Sequence, residues 1–129
     1  MIVCVMDDLM GSINISSMAK SIGGIELYFE RSPDQVLPSI REKHPSLLIF
    51  DLNSAKMNPM AAIAAMKADP SLKAIRTLGF VSHVDADTIA AARQAGIDQV
   101  LARSAFFGQL RQILTSASPT TPPPRPPQE

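Results

Sequence analysis

Apolar residues fall into five short runs along the chain, and the segments between these runs place apolar residues at helical spacing. The runs cover residues 2–6, 25–29, 47–52, 77–82 and 99–102. The central run, 47–52, is continuous and rich in strand-forming side chains, which is typical of a strand buried on both faces. Strands that alternate with helices over short connections predict a doubly wound parallel α/β sheet.

The commonest arrangement of this kind at this size is the flavodoxin-like fold. We therefore expect five parallel strands in the order 2-1-3-4-5, with five helices on the two faces of the sheet in a three-layer αβα arrangement. In this order the sheet has its crevice between the first and third strands, at their carboxyl ends. Side chains that follow these strands are the first candidates for a functional site.

Capping residues predict where several helices begin and end. Asp85 is expected to cap the fourth helix and Gly96 to end it. Ser32 is expected to cap the second helix, in which Pro38 would remove one backbone hydrogen bond. Ser104 is expected to cap the fifth helix, which carries the clearest amphipathic stripe in the chain. The stripe consists of Phe106, Phe107, Leu110, Ile113 and Leu114.

Composition limits the classes of function. The 12 basic and 12 acidic side chains of the 129 residues cancel, so no overall field attracts nucleic acid or an anionic membrane. The single cysteine, Cys4, lies in an apolar strand and is typical of a core residue in a reducing compartment. No apolar run approaches the ~20 residues of a transmembrane helix. We expect a soluble cytoplasmic protein.

The chain is predicted to form one domain followed by a tail. Residues 1–115 carry the alternating strands and helices, and residues 116–129 are rich in proline and poor in apolar side chains. Such a tail is expected to be disordered or polyproline-like. Because no DNA-binding domain follows the last helix, we expect no direct DNA binding, and any output would pass through a protein partner.

Acidic residues follow two of the predicted strands where these strands end. Asp7 and Asp8 come after the first strand, and Asp51 ends the third. Three carboxylates that repel one another at one edge of a sheet suit a hard cation such as Mg²⁺. A carboxylate held near Mg²⁺ can attack phosphorus and form an aspartyl-phosphate. Ser82 and Arg103 follow the fourth and fifth strands at the same edge, where they could hold the phosphoryl oxygens.

Four stretches carry a more specific pattern: Val5-Met6-Asp7-Asp8, Phe50-Asp51-Leu52-Asn53, Val81-Ser82 and the segment 92–101. Over residues 1 to about 115 the chain resembles the receiver domain of two-component response regulators. The resemblance implies that Asp7 and Asp8 bind Mg²⁺, that Asn53 offers it a backbone carbonyl, and that Asp51 accepts a phosphoryl group. Ser82 would reorient to hold that group.

The resemblance also implies partners. The phosphoryl donor would be a sensor histidine kinase or a phosphotransfer protein, and a downstream protein would read the phosphorylated state. The fourth helix, fifth strand and fifth helix would form the contact surface, through which a homodimer is also expected. The chain would then act as a phosphoacceptor in a phosphorelay and not as an enzyme.

At several positions the chain departs from the receiver pattern. Arg103, followed by Ser104, stands where the family has a lysine followed by proline, and a planar guanidinium does not replace an ammonium conservatively. His83 stands where a small residue follows the serine, and Val100 stands where a switch aromatic is usual. These departures leave an alternative open, in which the chain is a pseudo-receiver that acts without phosphorylation as an interaction or dimerisation module.

A third hypothesis is a small-ligand carrier such as a flavin-binding domain. It requires a loop that binds phosphate after the first strand. Asp7 and Asp8 place negative charge at this position, which disfavours an anion there.

Overall fold

The computed structural model describes residues 1–82 and 85–117. Within them, five parallel strands form one sheet in the order β2-β1-β3-β4-β5, which confirms the predicted order. The strands are β1 (Ile2–Val5), β2 (Leu27–Glu30), β3 (Leu47–Asp51), β4 (Arg76–Val81) and β5 (Gln99–Ala102). The central strand β3 is buried along its whole length, as its continuous apolar run predicts.

Six α-helices accompany these strands in the described residues. They are α1 (Leu9–Ile22), α2 (Val36–Lys43), α3 (Pro59–Ala68), α4 (Ala86–Ala95), α5 (Arg103–Gly108) and α6 (Leu110–Ser116). The number differs from the expected five because the predicted last helix is divided at Gln109, whose φ of −107° and ψ of 11° are not helical. Its apolar stripe survives the division, since Phe106, Leu110 and Leu114 are all buried.

Two of the predicted helix caps are confirmed and two are wrong. The Asp85 carboxylate accepts a hydrogen bond from the Asp87 N–H at the start of α4, and Gly96 ends this helix with a φ of 108°. Ser104 does not cap α5, because this helix already begins at Arg103. Ser32 makes no side-chain cap and instead precedes a short 3₁₀ turn at Pro33–Gln35.

The buried carboxylate of Glu30 contacts both ends of this region. It accepts hydrogen bonds from the Ser32 N–H at 3.1 Å and from the Ser39 hydroxyl, and so ties the end of β2 to the first turns of the second helical segment. Pro38 lies in the first turn of α2, where a backbone N–H has no partner within the helix. It therefore removes no helical hydrogen bond, contrary to the expectation from sequence.

Two apolar clusters cover the two faces of the sheet, which gives the three layers expected. One cluster joins alternate residues of β1 and β3 to α2, α3 and α4, and the other joins the intervening residues to α1, α5 and α6. Cys4 is fully buried in the second cluster, and this burial raises the pKa of its thiol to about 12. The thiol therefore stays protonated, as expected of a core cysteine.

The last described residues are packed against the start of the chain. Ser116 is helical, one residue past the predicted domain boundary, and Ala117 is buried with its carbonyl accepting a 2.7 Å hydrogen bond from the Ser46 hydroxyl. The remainder of the predicted tail, residues 118–129, lies outside the described residues, so its disorder stays a prediction. Among the helices of the described ranges, none is long and apolar enough to cross a membrane.

A substitution on β4 tests how tightly this sheet is packed. A Cβ atom added at Gly79 would lie 2.7 Å from Leu52 Cδ1 and 2.8 Å from Ile97 Cδ1, both in buried side chains. We expect Gly79→Ala to lower the free energy of unfolding by about 1–3 kcal/mol in urea denaturation, because the neighbours must shift. Gly108→Ala is the matched control, since a Cβ there meets no atom within 4 Å. Equal effects of the two substitutions would contradict the packing argument.

Candidate functional site

The carboxyl ends of β1 and β3 lie side by side and bring the three predicted carboxylates to one edge of the sheet. Val5 pairs with Phe50 in parallel register, so the residues that follow each strand emerge together. Asp51 ends β3 and is only 7% exposed, whereas Asp7 is exposed. The three carboxylates are close enough that the charges of Asp7 and Asp8 act on Asp51.

Asp51 is held in a largely buried position by the chain that follows it. Its Oδ1 atom accepts a hydrogen bond of 3.0 Å from the Asn53 N–H, and the Leu52 N–H donates to the Phe80 carbonyl at 3.0 Å. Burial raises the pKa of the Asp51 carboxyl, and the neighbouring negative charges raise it further. The Asn53 N–H and the Arg103 charge oppose this shift without cancelling it. The Asp51 charge is therefore poorly stabilised in this state.

Asp8 has the opposite electrostatic environment. Its Oδ2 atom accepts a 2.6 Å hydrogen bond from Arg103 Nη2, and its Oδ1 atom accepts one of 3.2 Å from the Met10 N–H at the start of α1. The hydrogen bond from Arg103 is the main cause that lowers the pKa of the Asp8 carboxyl. Asp8 therefore both caps α1 and forms an ion pair that joins this helix to the segment after β5.

Two aromatic rings hold the Arg103 guanidinium in place. Its Cζ atom lies 5.5 Å from the ring centre of Phe80 and 5.0 Å from that of Phe107. Both rings belong to a packed aromatic cluster completed by Phe106, so they are fixed by the core. Cation–π contacts of this kind favour arginine over lysine, because the planar guanidinium can stack on a ring face.

Ser82 and Asn53 join the loops after β4 and β3. The Asn53 side-chain oxygen accepts a hydrogen bond from the Ser82 N–H, and Ser82 is exposed. Ser82 and Arg103 line a common open cleft of about 540 Å³, together with Asn14 and Ser104. The structure thus brings together the pair that the sequence suggested for holding phosphoryl oxygens.

Several contacts of the site had no signal in the sequence. The buried Ser54 hydroxyl donates a 2.9 Å hydrogen bond to Asp7, which ties the loop after β3 to the acidic pair. Phe80 and Phe107 could be recognised from sequence only as core residues. His83, which the sequence marks as a departure from the receiver pattern, lies outside the described residues.

The donor chemistry of the site fits a divalent cation. Asp7, Asp8, Asp51 and the Asn53 carbonyl supply oxygen ligands only, the kind that Mg²⁺ prefers. Within residues 1–82 and 85–117, however, no three acidic, histidine or cysteine side chains are gathered as a metal-binding cluster. Each carboxylate instead has a partner within the protein: Ser54 for Asp7, Arg103 for Asp8 and the backbone of Asn53 for Asp51.

Comparison with known proteins identifies the fold. No family model matches the chain, and no curated protein matches its sequence. Solved structures of response regulators do match. The phosphorylated cyanobacterial phytochrome response regulator RcpA is 20% identical with a TM-score of 0.75, over 96% of this chain and 98% of that chain. The Mn²⁺-bound response regulator Rcp1 is 19% identical with a TM-score of 0.73, over 96% and 98% of the two chains.

A two-component response regulator from Legionella pneumophila is 22% identical with a TM-score of 0.76, over 89% of this chain and 97% of that chain. At these identities the matches establish the fold. The chain therefore has the flavodoxin-like fold of response-regulator receiver domains, which confirms the resemblance drawn from its sequence.

The buried position of Asp51 predicts a gain in stability when its charge is removed. A carboxyl whose pKa is raised by folding contributes stability below its unfolded pKa and loses it as pH rises through the folded pKa. We therefore expect Asp51→Asn to raise the free energy of unfolding at neutral pH, on the order of 1 kcal/mol. The gain should disappear below the ordinary carboxyl pKa of about 4.

Urea denaturation at a series of pH values measures this effect. Glu42→Gln is the matched control, because the Glu42 side chain is 79% exposed on α2. A destabilised Asp51→Asn protein at neutral pH would show that the Asp51 charge is favourable in the folded state.

Proposed function

We propose that the chain is a receiver domain of two-component signal transduction in which Asp51 accepts a phosphoryl group from a sensor histidine kinase or a phosphotransfer protein. The observation that carries the proposal is the position of Asp51 in a receiver fold. It ends the buried central strand, with the acidic pair on one side and the cleft of Ser82 and Arg103 at the same edge.

Each side chain of the site has a separate role in the proposed transfer of the phosphoryl group. Oδ1 of Asp51 is held by the Asn53 N–H, so Oδ2 is the oxygen that attacks phosphorus. The phosphorus–nitrogen bond of the donor phosphohistidine breaks as the new phosphorus–oxygen bond forms, and the imidazole leaves with the bonding electron pair. Arg103 favours the ionised form of Asp51, which is the nucleophile. The Ser82 hydroxyl, in the cleft that Ser82 and Arg103 line, would donate to an oxygen of the transferred group.

Mg²⁺ is the proposed cofactor. Asp7, Asp8, Asp51 and the Asn53 carbonyl are the residues that would hold it, and bound there it would offset negative charge on the carboxylates and on the phosphoryl group. Rcp1, a protein of the same fold, has been solved with Mn²⁺ bound, which supports a divalent cation in a fold of this kind.

The proposed output is a change of surface that a protein partner reads. Asn53 bonds the backbone of Ser82, so movement of the Ser82 hydroxyl toward a phosphoryl group would pull on the β4–α4 connection. The surface of α4, β5 and α5 lies next to it and is the proposed site for a downstream partner or a second copy of the chain. In this role the protein acts in the cytoplasm as a signalling protein and not as an enzyme, without direct DNA binding.

One observation favours the second candidate, a pseudo-receiver that serves as a phosphorylation-independent interaction or dimerisation module. The acidic pair already has partners within the protein, since Arg103 pairs with Asp8 and Ser54 donates to Asp7. A site whose charges are balanced in this way does not depend on a phosphoryl group to hold its structure.

Phosphorylation by a small-molecule donor separates the two candidates. We expect incubation of the full chain with Mg²⁺ and acetyl phosphate or phosphoramidate to add one phosphoryl group, because the Asp51 carboxylate can attack the phosphorus of such donors and release acetate or ammonia. Intact mass spectrometry measures the gain. Asp51→Asn should show none, whereas Asp34→Asn, at an exposed carboxylate in the 3₁₀ turn, should be modified like the wild type.

A chain that gains no phosphoryl group, under conditions that modify an ordinary receiver, would reject the first candidate in favour of the pseudo-receiver. Modification that persists in Asp51→Asn would place the acceptor at another residue.

A further inference from the structure

We infer that the guanidinium of Arg103 is the built-in counter-ion of Asp8, and that a divalent cation enters the acidic cluster only by displacing it. The inference deepens the proposed function and rests on it, because it concerns the control of the same site. Its first support is a contact: Arg103 Nη2 lies 2.6 Å from Asp8 Oδ2, within the range of a strong charge-assisted hydrogen bond.

The position of Arg103 does not depend on this ion pair alone. Phe80 and Phe107 contact the guanidinium from the core, as described above, and the backbone of Arg103 begins α5. An arginine held by two fixed rings loses little further freedom when it pairs with a carboxylate. The pair is therefore stronger than an ordinary surface ion pair, although its two side chains are 31% and 32% exposed and water screens it in part.

The space around the ion pair is also closed on the side of α1. A Cβ atom at Gly11 would lie 3.0 Å from Asp8 Oδ2 and 3.3 Å from Arg103 Nη2. The absence of a side chain at Gly11 is what lets the guanidinium reach Asp8 beside the helix. The ion pair thus fills a narrow space between α1 and the first residue of α5.

These contacts set Arg103 and a cation in competition for Asp8. Both Asp8 oxygens are engaged, Oδ2 by Arg103 and Oδ1 by the Met10 N–H. A cation that takes Asp8 as a ligand removes the bond to Arg103 and leaves the guanidinium beside a second positive charge. The protein therefore loses a charge-assisted hydrogen bond and gains a like-charge repulsion on binding, both of which weaken its affinity for the metal.

This competition explains why the carboxylates are not gathered as a metal cluster in the described residues. With Asp8 drawn to Arg103 and Asp7 to Ser54, the three carboxylates are each directed to a different partner. A cation would have to exchange these partners for itself. Arg103 therefore lowers the fraction of the protein that holds a metal at a given metal concentration. Any chemistry at Asp51 that the metal assists is lowered with it.

Direct metal binding tests the inference without any phosphoryl donor. The full chain is titrated with Mn²⁺, and free Mn²⁺ is read from its electron paramagnetic resonance signal. We expect Arg103→Met to bind Mn²⁺ roughly tenfold more tightly than the wild type, the change that follows from removing one charge-assisted hydrogen bond and one repulsive charge. Arg93→Met, at an exposed arginine on α4, is the matched control and should bind like the wild type.

Two further variants make the result specific to the ion pair. In an Asp8→Asn background, Arg103→Met should give a clearly smaller gain, because the charge-assisted hydrogen bond is already absent and only the repulsive charge is removed. Arg103→Gln, which keeps a hydrogen-bond donor but no charge, should reproduce the gain and serves where Arg103→Met does not fold.

Equal Mn²⁺ affinity in the wild type and the uncharged Arg103 variants would overturn the inference, as would a gain of the same size in the absence of Asp8. Absence of binding in every variant would overturn it too, since no metal site would then be released. The outcome is separate from that of the proposed function: a tenfold gain in a chain that acetyl phosphate never modifies would support the competition and reject the phosphoacceptor.

Discussion

Burial of β3 on both faces is the constraint from which the site follows. A parallel strand with β1 and β4 as neighbours and helices on both sides can expose chemistry only where it ends, and β3 ends on Asp51. The same packing removes water from this carboxylate, which raises its pKa. The fold therefore determines both where Asp51 lies and why its negative charge is unfavourable, and a cation at this edge would stabilise that charge.

The electrostatics of the three carboxylates depend on where the Arg103 guanidinium lies. The hydrogen bond from Arg103 lowers the pKa of the Asp8 carboxyl, whereas burial raises the pKa of the Asp51 carboxyl more than the charge of Arg103 lowers it. Neighbouring carboxyl groups whose pKa values are shifted in opposite directions are common in functional sites. Here the difference arises mainly from the burial of Asp51 and from the hydrogen bond that Arg103 donates to Asp8.

Sequence alone predicted the fold because its signals were local and consistent. The apolar run of β3, the Asp85 cap and the Gly96 terminus each act within a few residues, and the strand order follows from alternation and length. The wrong predictions concern helix ends. The Ser32 side chain caps no helix while its N–H donates to the Glu30 carboxylate, and Ser104 is not a cap because its helix begins one residue earlier. The sequence offers several possible partners and starting residues at such an end and does not determine which of them is used.

The same limit applies to the site. Strand ends predicted that Asp7, Asp8 and Asp51 would share an edge, since parallel register alone determines this. The donor that bonds each carboxylate is distant in sequence and could not be predicted from it. Ser54 is 47 residues from Asp7, and Arg103 is 95 residues from Asp8. A lysine at position 103 would carry the same charge but would lack the planar fork that fits both a carboxylate and two ring faces. The contacts of Arg103 with Asp8 and with the two rings therefore depend on the shape of its side chain as well as on its charge, and the sequence alone did not show that this residue would pair with Asp8.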